Sequence, residues 1–553
     1  MSTSIHTSQR ITLATSIALA LCLPVHAAAP NVDAGSLLRQ SEHELKIQKP
    51  APVLLQRKTT PNTTATSTQA KVQVLGFKFS GNTLLNNEQL NAALATYTHR
   101  ELTLGQLREA ADIVISTYRE AGWTVRAYLP KQEIDGGIVS IEVVEAVFGG
   151  ASLQSATPQR IEATRLLDMA EANLVKGRPV HAKDLDRALL LLDDLPGVSV
   201  TGNLMQGQRE GETNIAISAT DDALINGNAS VDNQGSRSTG ADRLNVSINF
   251  NSPARLGDLL SLNTLITQGS DYLRLGYTLP LSYSGWRAGI HSSNLNYRVI
   301  TNDFAALNPH GTASTAGLDF TYPLLRSVLQ NINFAVNYDD KKFNNISNNV
   351  TTSYGIKVYN ATLSANQIDT WAGGGSTSAS IGLTSGDKST DSHFAKQNIN
   401  LNRLQSITDS LSLFIAASAQ KTNKNLDSSE KMYLGGATGV RAFPTSEAGG
   451  SEGNTLTVEL RHRSNNNITL TGFYDLGWVK VNHDNNLASP ANPNSYDLKG
   501  YGVSVAWQIS QDIDIKATLA QRIGDNPAAQ ANGSDGDGTK KVTRLWLSTG
   551  IAF

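Results

Sequence analysis

The sequence predicts a mainly β protein whose C-terminal part is a transmembrane antiparallel barrel. From about residue 223 to residue 553, polar and apolar positions alternate. A clear example is the run in which Asn245, Ser247 and Asn249 separate Leu244, Val246, Ile248 and Phe250. Successive side chains of a strand point to opposite sides, so each segment has one apolar and one polar face. Because the polar faces carry Asn, Ser, Thr and Gly, they suit a wall between lipid and a water-filled lumen.

Two further features support membrane strands rather than membrane helices. No segment after the N-terminal 30 residues contains 18 or more consecutive apolar residues, so a helical membrane protein is not expected. The chain ends on a strand-like run with an aromatic residue, Phe553, which reads as a C-terminal barrel signal. At about 20 residues per strand with its turns, the region 223–553 has room for about 16 strands. A soluble array of β-sandwiches is the alternative, but closure into a barrel removes the exposed edges of so long a sheet.

Residues 1–27 have the pattern of a secretory signal peptide. Arg10 supplies the positive start, an apolar stretch follows, and Val25-His26-Ala27 forms a small-residue cleavage site. A short buried helix is the alternative. The single cysteine, Cys22, lies in this segment, so the mature chain is expected to contain no disulfide and no thiolate metal site.

Composition argues against several functional classes. The formal net charge is -2, which does not favour a nucleic-acid partner. The sequence contains no His-Glu-x-x-His, P-loop or dinucleotide fingerprint, and its ten His residues are scattered. We therefore expect no enzyme activity, no cofactor and no metal. The charged run Asp339–Lys342 is interpreted as a solvated loop, and Gly373-Gly374-Gly375 as a turn.

The segment 28–50 is predicted to contain a short helix that Asp33 or Ser36 caps and Pro50 ends. A thin apolar stripe follows one face of this helix: Leu37, Leu38 and Leu45. A disordered arm is the alternative for this segment. Residues 51–70 are rich in Thr, Pro and Ser, cannot bury a core and are predicted to be a flexible linker.

Two α+β modules of about 75 residues are predicted between the linker and the barrel, at residues 71–148 and 149–222. In the first, an amphipathic helix ends at Gly122 and a closing strand follows. In the second, Pro196-Gly197 ends a helix and opens a strand. The repeated order of elements indicates two copies of one fold.

Short motifs along the chain carry a family resemblance. In the first module they include Gly81, Asn82, Pro130 and Gln132, and in the second Leu195, Pro196 and Gly197. In the alternating region they include Asp232-Asn233-Gln234-Gly235, the run Val440, Arg441, Ala442 and Phe443, and the pair Phe473 and Asp475. The ordered set resembles the two-partner secretion outer-membrane transporters, the haemolysin and filamentous-haemagglutinin activation and secretion proteins, which belong to the POTRA-plus-barrel superfamily.

The resemblance implies the layout of the mature chain. It predicts an N-terminal plug helix at 28–50, two periplasmic POTRA domains at 71–148 and 149–222, and a barrel at 223–553. It further implies that the loop tip at Arg441 folds into the lumen and that its guanidinium pairs with Asp475 on the barrel wall. The alternative is that Arg441 is an exposed loop charge. The family usually has Gly where this chain has Ala442, so a positive φ there would cost about 1 kcal/mol.

The resemblance also implies a function in the bacterial outer membrane. The barrel would secrete one large partner exoprotein of the haemolysin, haemagglutinin or adhesin kind, which the POTRA domains capture unfolded. Outer-membrane lipid is a further expected partner, as are the barrel-assembly machinery and periplasmic chaperones during biogenesis. Two alternatives are a barrel-assembly insertase of the same superfamily and a passive porin.

Overall fold

The alternating region forms the wall of a closed barrel. The computed structural model describes residues 32–47, 71–154, 157–209, 211–302, 305–390, 393–465 and 467–553. Sixteen antiparallel strands lie in one continuous ring. The prediction of a mainly β chain with a barrel of about 16 strands is therefore confirmed.

The first eight barrel strands are β9 (Ile225–Asp232), β10 (Arg243–Asn251), β11 (Leu259–Ile266), β12 (Ser270–Pro280), β13 (Arg287–Arg298), β14 (His310–Arg326), β15 (Gln330–Ser347) and β16 (Val350–Asp369). The others are β17 (Gly375–Lys388), β18 (His393–Ser406), β19 (Leu411–Thr422), β22 (Glu452–Arg463), β23 (Ile468–Lys480), β24 (Ser495–Gln508), β25 (Ile513–Arg522) and β26 (Thr543–Ala552). Between β19 and β22 lie two short strands, β20 (Met432–Tyr433) and β21 (Gly449–Gly450).

The ring closes where the last strand meets the first. The register of β26 against β9 covers Ser548 to Ala552, and the backbone of Phe553 then exchanges hydrogen bonds of 2.8 and 3.0 Å with Gly227. The side chain of Phe553 is exposed on the outer face. Closure pairs the backbone groups that an open sheet would leave bare in lipid.

Side chains divide between the two faces as the alternation predicts. On β23, Leu470 and Tyr474 are exposed on the outer face, whereas Phe473 and Asp475 are buried on the inner face. Apolar side chains thus face the bilayer and the charged group faces the lumen, where desolvation costs less.

Two α+β modules precede the barrel, each with a three-stranded sheet. The first contains β1 (Lys71–Val74), β2 (Gly76–Ser80), α2 (Asn87–Ala93), β3 (Arg100–Thr103), α3 (Leu104–Glu120), β4 (Val125–Tyr128) and β5 (Ile138–Glu145). The second contains β6 (Val147–Leu153), α4 (Ala163–Asn173), α5 (Ala182–Asp193), β7 (Val198–Gln206) and β8 (Glu212–Asp221). In each sheet the last strand is central, with the first strand parallel to it: β2-β5-β4 and β6-β8-β7.

Amphipathic helices cover one face of each sheet. In the first module, Leu107, Val114 and Tyr118 of α3 pack on the core side of β5. In the second, Leu166 of α4 and Leu192 of α5 do the same against β8. Each module therefore has its own hydrophobic core, as the apolar spacing predicts.

The second module docks directly on the inner end of the barrel. Arg326, at the end of β14, forms two hydrogen bonds of 2.8 Å with the Asp194 carboxylate. Arg187 of α5 donates to the Pro323 carbonyl at 2.9 Å and lies 5.8 Å from the Tyr322 ring centroid. Bidentate arginine contacts fix geometry as well as charge, so this joint has a defined orientation.

The N-terminal helix α1 (Ala34–Ile47) lies inside the barrel, where Leu38 is fully buried. The predicted signal peptide at 1–27 and linker at 51–70 lie outside the described residues, as do the flanks of the 28–50 segment. None of the helices among the described residues has the length and apolarity needed to cross a bilayer.

One interpretation of the sequence is wrong. The charged run Asp339–Lys342 is not a solvated loop; it lies within β15, and Lys341 is buried in the lumen. Alternation explains the error, because neighbouring charges in a strand point to opposite faces and one of them faces inward. The Gly373 and Gly374 residues do form a turn, with φ of 95° and 93°.

We predict that Glu145 stabilises the first module through its hydrogen bonds. Its carboxylate accepts from the backbone N–H of Thr83 at 2.7 Å and of Leu84 at 2.8 Å, and from the Tyr118 hydroxyl at 2.9 Å. Replacement by Ala removes these partners and should destabilise the module by about 2 kcal/mol. Amide hydrogen exchange at residues 83–84 of the full chain measures the loss.

Burial raises the pKa of Glu145, but the hydrogen bonds from Thr83, Leu84 and Tyr118 outweigh it and hold the pKa below its ordinary value. The stabilisation should therefore be complete above the ordinary carboxyl pKa and be lost as the pH falls through the lowered pKa. Glu142→Ala, on the other face of β5, is the matched control. Equal exchange in both variants would contradict the prediction.

Candidate functional site

The barrel lumen is filled by two segments from opposite ends of the sequence. One is α1. The other, here called the inner loop, comprises residues 423–451 between β19 and β22 and folds back into the barrel. The two touch each other through Ser428, whose hydroxyl donates to the Asp33 carboxylate at 2.7 Å. Together they lie inside the barrel, across the path that a passing chain would take.

The tip of the inner loop is anchored by Arg441. Its Nε and Nη2 donate to the two carboxylate oxygens of Asp475 at 2.8 Å each, and its backbone N–H donates to the same carboxylate at 3.1 Å. Its Nη1 donates to Glu459 at 2.7 Å, and the guanidinium lies 3.4 Å from the ring centroid of Phe473. Both Arg441 and Asp475 are buried. The Trp546 indole donates to the Arg441 carbonyl at 2.8 Å.

The neighbours of Arg441 close the contact. Val440, Ala442 and Phe443 are all at most 1% exposed, and Phe443 lies under the guanidinium of Arg522. Ala442 does not have a positive φ, so the cost considered for this position does not arise. Its methyl group instead packs against β24 at Gly500, where any Cβ would collide with it.

The start of α1 is seated on the inner loop and the wall. Asp33 caps the helix: its carboxylate accepts a hydrogen bond from the Ser36 N–H at 2.8 Å. Asp33 is one of the two residues predicted to do so. Leu37 and Leu38 pack against apolar lumen side chains that include Tyr272 and Phe343. This apolar seat lies at the first turns of the helix.

The rest of α1 is held by ion pairs to the wall. Glu44 pairs with Arg243 of β10, which also binds Asp232 of β9 at 2.7 Å. The Arg243 side chain is therefore shared between one carboxylate of the helix and one of the barrel.

A second shared pair lies elsewhere on the wall. Glu42 of α1 lies 3.5 Å from the Lys341 ammonium of β15, which also binds Glu430 of the inner loop at 3.0 Å. Lys396 of β18 binds the same Glu430 at 2.7 Å. All of these side chains except Glu42 are at most 5% exposed. Each helix carboxylate thus meets a cation that keeps another acidic partner.

The module motifs occupy turns and joints rather than the lumen. Gly81 has φ of 78° and lies so close to the Val143 carbonyl that no Cβ fits. The Asn82 side chain donates to the Leu85 carbonyl at 3.0 Å. Gln132, two residues after Pro130, exchanges two hydrogen bonds of 2.7 Å with the backbone of Ser140. These residues fix the shape of the first module.

The second module motif lies at the joint with the barrel. Leu195 is buried in the module core and packs beneath Gly257, between β10 and β11. Pro196 and Gly197 end the turn after α5, and Gly197 has φ of 96° beside Ser252. The motif therefore joins the module to the barrel wall.

Sequence reasoning missed several charged residues of the lumen. Glu459, Lys341 and Glu430 hold the inner loop or α1 but belong to no motif. Glu459 had a signal: it lies between Val458 and Leu460 in an alternating strand, where a carboxylate can face only the lumen. Glu430 had none, because its position depends on the path of the inner loop.

We predict that Arg441→Ala frees the inner loop. The substitution leaves the Asp475 carboxylate buried without its cation, which costs about 3 kcal/mol or more, whereas Glu459 keeps its ion pair with Arg461 at 2.7 Å. Amide exchange of residues 434–448 in the folded, detergent-solubilised protein should rise, while exchange of the wall strands stays the same. Arg463→Ala, an exposed arginine on β22, is the control and should leave the loop unchanged. Unaltered loop exchange in Arg441→Ala would show that the pair does not hold the tip.

The chain is similar to proteins of known family. A family model described as haemolysin secretion/activation protein ShlB/FhaC/HecB matches residues 211–505, and a ShlB-type POTRA domain model matches residues 72–146. The heme/hemopexin transporter protein HuxB of Haemophilus influenzae strain 86-028NP is 25% identical over 461 residues, 79% of this chain and 81% of that protein. The outer membrane transporter CdiB of Dickeya dadantii is 24% identical over 442 residues, 75% and 77% of the two chains.

Solved structures show the same fold. CdiB from Escherichia coli superposes with a TM-score of 0.70 at 19% identity and covers 95% of this chain and all of that one. BamA from Haemophilus ducreyi, without its first three POTRA domains, gives a TM-score of 0.54 at 13% identity over 88% of this chain and all of that one. The family model spans more than half of the 553 residues. The chain belongs to the haemolysin secretion/activation protein family, ShlB/FhaC/HecB.

Proposed function

We propose that this protein secretes one large partner protein across the bacterial outer membrane through its own barrel. One observation carries the proposal: helix α1 closes the lumen and is held there by ion pairs that can break when the helix leaves. Two modules precede the barrel on the periplasmic side. Membership of a secretion family and relatives named as transporters support it. The protein resides in the outer membrane, with its POTRA modules in the periplasm.

The modules offer edges on which an unfolded partner can bind. Strand β7 lies at the edge of the second sheet, and its last residues expose Leu204 and Met205. An extended chain that adds to such an edge gains backbone hydrogen bonds, while exposed apolar side chains contribute selectivity. Binding at this edge brings the partner close to the inner mouth of the barrel, since the second module docks there.

Exit of α1 is the step that opens the pore. When Glu44 leaves, Arg243 still binds Asp232; when Glu42 leaves, Lys341 still binds Glu430. No cation of these two pairs is therefore left buried without a carboxylate, which would be the costly outcome. The helix carboxylates meanwhile become hydrated.

Folding of the partner outside the cell supplies the direction of transport, since a folded chain cannot re-enter the pore.

The decisive experiment compares culture-medium proteins of cells with and without the gene. The proposal expects the loss of one very large polypeptide, with the remaining outer-membrane proteins unchanged. Depletion of many outer-membrane proteins instead would indicate a barrel-assembly insertase. Unchanged medium proteins together with reduced solute uptake would indicate a passive porin.

We predict that weakening the hold on α1 raises the conductance of the barrel in a planar lipid bilayer. Deletion of residues 34–47 should open the channel fully while secretion of the partner persists. Glu44→Gln and Glu42→Gln remove one ion pair each and should increase the open fraction by smaller amounts, of about three- to tenfold, for about 1 kcal/mol of lost interaction per pair. Glu88→Gln, on exposed helix α2, is the control. Unchanged conductance after the deletion would reject α1 as the plug.

A further inference from the structure

A cavity of about 700 Å³ interrupts the wall across strands β15 to β19. It opens outward: register pairing and exposure place most of its lining residues on the face that carries Leu363, Ile399 and Leu401. Its floor consists of small side chains on three adjacent strands: Ala361, Ser385 and Ala395. The cavity is therefore a dent in the membrane-facing surface and not part of the lumen.

The dent lies at the outer end of the barrel. Strand β19 runs from a turn on the side of the modules to the inner loop, and Lys421 is its last residue but one. The outward-facing Tyr338 and Tyr359 lie side by side, with ring centroids 4.9 Å apart. Paired aromatic side chains at this height are typical of the membrane interface. The dent therefore faces the outer leaflet.

Three polar side chains line one side of the dent. Lys421 forms no ion pair with any described residue, and Gln397 lies directly opposite it in the register of β18 and β19. The Asn423 amide oxygen accepts from the Ala395 N–H at 2.8 Å, which leaves the amide nitrogen directed away from that contact. A cation and amides on a lipid-facing wall are costly unless a polar partner meets them.

The opposite side of the dent is apolar. Val336 and Leu383 face outward there, below the Tyr359 ring. Asp387, two residues beyond Ser385 on β17, pairs with His393 at 3.1 Å. The dent thus combines a cation that has no ion pair among the described residues, amide groups and an apolar surface over a floor of small residues.

The geometry points to a binding site for a phosphorylated glycolipid of the outer leaflet. The lipid phosphate binds the Lys421 ammonium, and sugar hydroxyls exchange hydrogen bonds with Gln397 and Asn423. An acyl chain lies over Ala361 and Ala395 against Leu383. A lysine near a membrane interface attracts anionic headgroups, and the small floor residues provide the depth that a flat barrel wall lacks. The site goes beyond the proposed secretion function and does not depend on it.

The test measures lipid retention by the full-length protein in mild detergent. Native mass spectrometry should detect one bound diphosphoryl lipid A molecule, added as the probe, in competition with an equal concentration of phosphatidylglycerol. Lys421→Gln removes the cation and Ala395→Leu fills the dent; each should lower lipid A occupancy about tenfold. Removal of the phosphates from lipid A should weaken its binding to the wild type. The loss should be about as large as the loss of diphosphoryl lipid A binding caused by Lys421→Gln.

Ala417→Leu is the matched control, because Ala417 faces outward on β19, the strand of Lys421, but lies outside the dent. It should retain lipid A as the wild type does. Heat-modifiable migration on gels verifies that each variant has a folded barrel, and Ala361→Leu replaces Ala395→Leu if that variant does not fold. Three results would overturn the inference. Lys421→Gln and Ala395→Leu could bind lipid A as well as the wild type does, or Ala417→Leu could lose as much lipid A as they do. The third is that the wild type binds phosphatidylglycerol as well as it binds lipid A.

Discussion

The structure depends on one constraint: in the hydrocarbon of a bilayer, every backbone N–H and C=O must find a partner within the protein. The chain meets this constraint by pairing β26 with β9. This is the shortest strand pairing of the ring, with five residue pairs, and backbone hydrogen bonds between Phe553 and Gly227 extend it. Closure produces an interior that is largely polar, because alternation places most apolar side chains on the outside and leaves only local apolar clusters inside. The polar lumen follows from the closed wall.

A polar lumen requires polar contents, which explains why the two segments inside it are held as they are. The inner loop is fixed by a guanidinium that donates to two carboxylates and stacks on Phe473. Helix α1 is fixed by carboxylates that meet already paired cations. Removal of Arg441 leaves the buried Asp475 carboxylate without a cation, whereas removal of α1 leaves both Arg243 and Lys341 with a carboxylate. The same type of interaction therefore gives a durable anchor at one position and a releasable contact at the other.

Alternation and short motifs predict the fold well and the site in part. The barrel, its approximate strand number and the approach of Arg441 to Asp475 follow from the residues and from the family resemblance. The role of Lys341 does not, because Asp339–Lys342 reads as a hydrophilic loop unless β15 is known to span 18 residues. Arg243 and Glu430 escape for another reason. The helix partner of Arg243, Glu44, lies 199 residues away in sequence, and Glu430 of the inner loop finds its partners, Lys341 and Lys396, on two wall strands. Only the three-dimensional path of helix and loop brings them together.

The shared cations also bear on how the pore closes again. A plug that left Arg243 and Lys341 unpaired would leave strongly anion-binding sites in an open channel, and any acidic stretch of a passing chain would be retained there. Because Asp232 stays bound to Arg243 and Glu430 stays bound to Lys341, neither cation is unpaired in the open lumen, which weakens its attraction to a chain in transit. The helix regains its place through two added ion pairs and the apolar seat at Leu37 and Leu38, both modest interactions. A wall whose cations keep carboxylate partners without the plug thus permits both passage of a polypeptide and reversible closure.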